Sequence, residues 1–303
     1  MLNVLTDWSF EPLVLVPMGL ALLLYWRGTT GTNLSLVGRR PPVKPWQALC
    51  FYGGLLVVFV ALESPIDAYD NRLFWAHMIQ HVLLIMVAAP LISLGDPAVP
   101  MLRGIPLGIR RRSLKVIMRQ RWIHKLGKIF SWLGSPRQVF VIFLVDLYAW
   151  HWNKLFNLTL QNQAVHDLEH VCFLVTGLLF WGQIIDQRPM HARLSYAQRA
   201  IYTVVTAFGS NLLAMYFVFT LRPVYAAYAA VAHRPGGLTA VADQQYAGAI
   251  MWVPALLLFG GACVVCVYKW LGEDEDSNPA VAVPAAPYSV LLTPGQSRSG
   301  KLS

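Results

Sequence analysis

Charge is scarce in this chain. Asp, Glu, Lys and Arg make up 13% of the 303 residues, and acidic residues are the rarer sign, 15 against 24 basic. A typical soluble domain carries about 25% charged residues. The low value, with 56% hydrophobic residues, therefore excludes an ordinary water-soluble fold and implies an integral membrane protein. Cysteine is sparse too. Cys50, Cys172, Cys263 and Cys266 do not make a disulfide framework of the secreted kind. The sequence has no phosphate-binding glycine loop, no clear internal repeat and no soluble catalytic domain. No basic segment precedes the first apolar run; Asp7 and Glu11 stand there instead, which argues against a cleaved signal peptide.

Apolar sequence is what the chain has in quantity. Runs of near-spanning length fall at about 11–27, 46–62, 73–95, 137–152, 164–185, 197–220 and 244–270. The expected fold class is an all-α membrane protein with seven transmembrane helices. The fourth run is short and carries Asp146. The 11 Trp residues suit interfacial belts.

The net charge of +9 resembles a nucleic-acid signature until the basic residues are mapped. They lie between the apolar runs, so lipid headgroups, and no nucleic acid, are the expected counterpart. The first, third, fifth and last connections hold 20 Lys and Arg, and the intervening ones hold four. By the positive-inside rule the N-terminus is outside and the C-terminus cytoplasmic, in agreement with an odd number of spans. The segment from about 104 to 134 interleaves Arg110, Arg111, Arg112, Lys115, Lys125 and Lys128 with Leu114, Ile117, Leu126 and Ile129. It reads as a basic amphipathic helix on the inner leaflet, in preference to a partner-docking surface. Residues 1–271 are expected to form the transmembrane domain. From 272 to 303, Glu273-Asp274-Glu275-Asp276 and a Pro/Ala/Ser-rich stretch are expected to form a disordered cytoplasmic tail.

Two histidine pairs stand inside this apolar frame. They are His77-Met78-Ile79-Gln80-His81 and His166-Asp167-Leu168-Glu169-His170. Residues four apart share a helix face, so each pair can aim two imidazoles at one point. Ionisable groups inside a membrane mark functional sites by default. With the topology above, both pairs lie roughly 5–12 Å below the outer ends of their spans, at 1.5 Å per residue. His151, between Trp150 and Trp152, lies at the same level, and the last span adds Asp243 and Met251. Asp243 is a candidate to orient an imidazole and Met251 a candidate soft ligand. Asp167 and Glu169 are expected to turn away from the face of His170. A single membrane histidine commonly makes an interhelical hydrogen bond; two pairs at matched depth suit a ligand role better. His124, His191 and His233 lie in connections and carry no such expectation. Met78 and Met86 are expected in the core, and Cys263 and Cys266 as packing groups. Imidazole with thioether suits copper; imidazole with carboxylate also suits zinc or iron; two facing histidines can hold a haem.

These motifs carry a family resemblance. His77-Met78-Ile79-Gln80-His81 is followed by Ala89-Pro90-Leu91-Ile92-Ser93-Leu94-Gly95-Asp96-Pro97. Together with His166-Asp167-Leu168-Glu169-His170 and the segment Asp243 to Trp252, it resembles the CtaG family of cytochrome c oxidase assembly factors. The multi-span family is meant, not the unrelated single-span chaperone of the same name. The resemblance covers about residues 10–270 and leaves out the tail. It implies a seven-helix protein of the bacterial inner membrane that helps to assemble a haem–copper oxidase. It also implies copper handled on the periplasmic side, with His77, His81, His166 and His170 as metal ligands. The implied partners are a nascent oxidase subunit and a periplasmic copper donor.

Rival functions separate on simple features. A membrane cytochrome would place a haem between the helices. A copper permease would continue its ligands inward, for which Cys263, Cys266 and Met86 are the available groups. A hydrolase would need a nucleophile beside Glu169, and none stands out, so a non-enzymatic metal-handling role is expected.

Overall fold

Inside a bilayer every backbone amide must be paired within the chain, and long apolar segments satisfy this as helices. The computed structural model describes residues 8–30, 43–188, 192–234 and 237–277. Among these the secondary structure is helical, with no strand. In chain order the helices are α1 (Pro12–Thr30), α2 (Pro45–Glu63), α3 (Pro65–Asp70) and α4 (Phe74–Val82). A π-helical turn (Leu83–Ala88) joins α4 to α5 (Ala89–Leu94). Then come α6 (Ala98–Gly104), α7 (Leu107–Arg119), α8 (Arg121–Leu133), α9 (Pro136–Trp150) and α10 (Asn153–Thr159). The chain continues through α11 (Gln163–Ile184), α12 (Tyr196–Phe219), α13 (Ala226–Ala229) and α14 (Ala240–Ser277).

Six helices are long and apolar enough to cross a membrane, and seven if a bent pair counts as one span. They match the apolar runs of the sequence. The bent case is the fourth run. With 15 residues, α9 is only about 22 Å long at 1.5 Å per residue. It meets the preceding helix at 69° across Gly134 and Ser135. The outer faces of α1, α12 and α14 expose Leu20, Leu23, Phe208, Leu257 and Val264, as a lipid-facing surface requires.

The span from Phe74 to Leu94 is central and is the most buried of the set. It packs against α2, α11 and α14. Pro90 lacks an amide proton for the Met86 carbonyl, and the π turn absorbs that defect. The widened turn frees the Ile85 carbonyl, which accepts from the Trp181 indole at 2.8 Å. At the end of this span remote from His77, Asp96 adopts a positive φ of 48°. Its carboxylate accepts from the Arg188 backbone and guanidinium at 2.8 and 2.6 Å, tying α5 to the connection after α11.

Helix α1 is held by backbone proximity. A β-carbon on Gly28 would stand 1.8 Å from the Pro100 carbonyl oxygen, and one on Gly104 would stand 2.0 Å from that of Leu24. Only glycine permits this α1–α6 approach.

Two sequence expectations change here. The basic segment is two helices, α7 and α8, because Gln120 takes an extended backbone that breaks the helical hydrogen-bond run. Helix α14 also runs beyond residue 272 to Ser277, since Glu273 to Asp276 continue the helix. Residues 278–303 of the expected tail lie outside the described residues, as does His191.

Candidate functional site

Helices α4 and α11 bring both histidine pairs to one place. His77, His81, His166 and His170 are all buried, at 0–5% exposure. Ring centroids lie 4.5 Å apart for His77 and His81, and 4.2 Å for His166 and His170. Across the helices, His77 is 4.9 Å from His166, and His81 is 5.7 Å from His170. The i,i+4 spacing aligns each pair, and the packing of the central span on α11 aligns the pairs with each other.

Glu169 completes the cluster. The sequence expectation turned it away from His170, but position 169 is three residues after His166, and i, i+3 and i+4 form one helix face. Its fully buried carboxylate lies 3.4 Å from His77 Nε2 and 3.6 Å from His81 Nε2. Asp70, at the end of α3, lies 3.2 Å from His166 Nε2. None of these nitrogens has a hydrogen-bond partner. Two ligands about 2.0–2.1 Å from one tetrahedral ion are roughly 3.3 Å apart, so the spacings suit atoms sharing a cation. His77, His166 and His170, and separately His77, His81 and Glu169, each offer donor atoms within 4.8 Å of one another.

The tautomer of His77 follows from its neighbours. The Tyr228 hydroxyl donates to the Asp70 carbonyl at 2.6 Å, so at 3.3 Å it can only accept from His77 Nδ1. Neutral His77 therefore presents a bare Nε2 lone pair to Glu169. A lone pair facing a carboxylate is repulsive unless a cation or proton lies between. Asp70 is outside the spans. Burial, reinforced by the neighbouring charge of Asp67, pushes its carboxyl up to about 8.

His151 borders this group from the end of α9, 5.7 Å from His81 between ring centroids. Its Nδ1 donates to the Leu147 carbonyl at 2.7 Å, which leaves Nε2 as a lone pair 3.3 Å from Met78 Sδ. Two soft lone pairs thus face each other. Met251 lines a cavity of about 30 Å³ with His81, His151 and Met86. Such a space holds one or two water-sized occupants.

Asp243 makes different contacts from the expected imidazole. Its carboxylate accepts from the backbone amides of Phe74 and Trp75 at 3.2 and 3.1 Å and pairs with Arg234 at 3.5 Å. It caps the helix that carries His77, acting on the site through the position of α4. His233 is exposed and apart from the cluster. Buried Cys266 lines a separate pocket with Asp186, Arg199 and Lys269, on the opposite half of α14.

Sequence reasoning missed Glu169, Asp70 and Tyr228. The His166/Glu169/His170 spacing was signal enough for the first. Asp70 and Tyr228 reach the site only through tertiary packing of α3 and α13.

Comparison with known proteins identifies the family. Residues 23–273 match the family model described as cytochrome c oxidase caa3 assembly factor. Uncharacterized proteins of Mycobacterium bovis and Mycobacterium tuberculosis are each 26% identical over 278 residues, covering 90% of this chain. An uncharacterized protein of Mycobacterium leprae is 24% identical over 279 residues, covering 89% of it. The chain spans 40% of the length of each of these relatives. No solved structure matches the chain. With a match from residue 23 to 273 that contains every cluster residue, the chain belongs to the caa3-type cytochrome c oxidase assembly factor family.

Proposed function

We propose that this protein binds copper at the buried histidine cluster and passes it to a nascent subunit of a haem–copper oxidase, having received it from a periplasmic donor. One observation carries the reading. Four buried imidazoles from two helices carry unpartnered Nε2 atoms, and two triads that share His77 (His77, His166 and His170; His77, His81 and Glu169) each offer donor atoms within 4.8 Å of one another. Leaving such groups buried and unpaired costs about 1–3 kcal/mol each, a penalty that a bound cation offsets.

His77, His81, His166 and His170 are the proposed ligands, with Glu169 and Asp70 supplying carboxylate oxygen. The imidazole–carboxylate side suits Cu(II), and would also accept zinc or iron. His151, Met78 and Met251 add a softer side suited to Cu(I). A shared boundary between harder and softer donors suits an ion that is held and then released. Copper is the cargo here.

With the Lys- and Arg-rich connections taken as cytoplasmic, the cluster lies in the periplasmic half of the bacterial inner membrane. The N-terminus is then outside and the C-terminus cytoplasmic. Exposed Trp122, Phe130 and Trp132 of α8, with Lys125 and Lys128 on the same helix, suit an anionic lipid surface.

The geometry disfavours a haem held between His81 and His151. Organic ligands typically occupy roughly 300–1,000 Å³, and the cavity between these two rings is about 30 Å³.

Oxidase purified from cells carrying only the His77→Ala/His166→Ala variant tests the function. The expected product has normal haem and depleted copper; a fully metallated oxidase contradicts the proposal.

A further inference from the structure

A second cavity touches the cluster from another direction. It is a cleft of about 270 Å³ between α1, α2 and α11, walled by Val14, Met18, Leu55 and Leu174. Three carboxylate residues line it, Glu11, Asp67 and Asp167, and no Lys or Arg does. Each belongs to a different element. Glu11 directly precedes α1, Asp67 is on α3 and Asp167 is on α11. Their convergence is therefore a tertiary feature.

His170 also lines the cleft. This imidazole is 95% buried by its 5% exposure, and its Nε2 has no hydrogen-bond partner. It is the member of the cluster that the cleft reaches. Asp67 is linked to the cluster from the other side, since its Oδ1 accepts from Gln80 at 2.9 Å and Gln80 stands between His77 and His81 on α4. Asp167 is held by Gln163 at 2.9 Å, one helical turn before it. A cleft with apolar walls, three carboxylate residues and no Lys or Arg thus touches a buried histidine whose Nε2 has no partner.

We propose that this cleft is the route by which a copper ion reaches the histidine cluster, drawn in by Glu11, Asp67 and Asp167 and received by His170. The inference rests on the copper-binding reading above. Carboxylates in a low-dielectric cleft focus their field and raise the arrival rate of cations, by about ten-fold or more. They act on the rate of loading, while the cluster sets the amount bound.

The test is copper transfer from a colorimetric Cu(I) chelator to the full-length protein in nanodiscs, followed in time and to completion. One variant removes the charges, Glu11→Gln/Asp67→Asn/Asp167→Asn. A second, Val14→Trp, fills the cleft, and Val16→Trp, on the exposed side of α1, is its control. The expected result is wild-type final stoichiometry with about ten-fold slower loading in the first two variants and unchanged loading in the control. The charge variant also loses the slowing that added salt imposes on wild type. Wild-type rates in both cleft variants, with full final stoichiometry, overturn the route and leave the binding site standing. Failure of the wild type to take up copper at all overturns the binding site and the route with it.

Discussion

Asp243 separates two kinds of contribution that one residue can make to a site. It touches no imidazole, yet it closes the open amides of Phe74 and Trp75 at the start of the helix that aims His77 and His81. Replacing a capping side chain by alanine typically costs about 0.5–2 kcal/mol. Asp243→Ala is therefore expected to lower the thermal unfolding temperature by a few degrees while the copper bound per chain stays as in wild type. Scanning calorimetry and elemental analysis on the same sample check both halves, and loss of copper at unchanged stability would make Asp243 a ligand. The histidines themselves are legible in the sequence because four-residue spacing in an apolar run is a local pattern. Glu169 was legible by the same rule, once read from His166 instead of from His170. Asp70 and Tyr228 were not, since their distance along the chain from His166 and His77 carries no periodic signal.

Among the elements, the α1–α6 contact is the most sensitive to a small change. A methyl group on Gly104 meets the Leu24 backbone at 2.0 Å, and backbone cannot rotate aside. Overpacking of this kind costs about 1–3 kcal/mol, so Gly104→Ala should lower stability in detergent. Gly108→Ala, where nothing lies within 4 Å, should be neutral or slightly stabilising. Equal melting temperatures for the two would contradict the close packing. Apolar length made the spans readable in sequence. It did not show the π turn, which depends on Pro90 and on the distant Trp181. Nor did it show the break at Gln120, where composition on both sides favours helix.

For the molecule as a whole, the histidine cluster, the capping aspartate and the acidic cleft lie toward one end of the bundle. The Arg188–Asp96 and Arg199–Asp186 pairs lie toward the other. Buried ionisable groups are thus concentrated where polar residues are costly, while basic residues mark the opposite boundary. The central claim is that the cluster holds copper. Copper per polypeptide, measured by elemental analysis after purification and reloading, tests it most directly in wild type and in His81→Ala/His170→Ala. Near-stoichiometric copper in the wild type and its loss from the variant is the result this account predicts. Equal, low copper in both would contradict it.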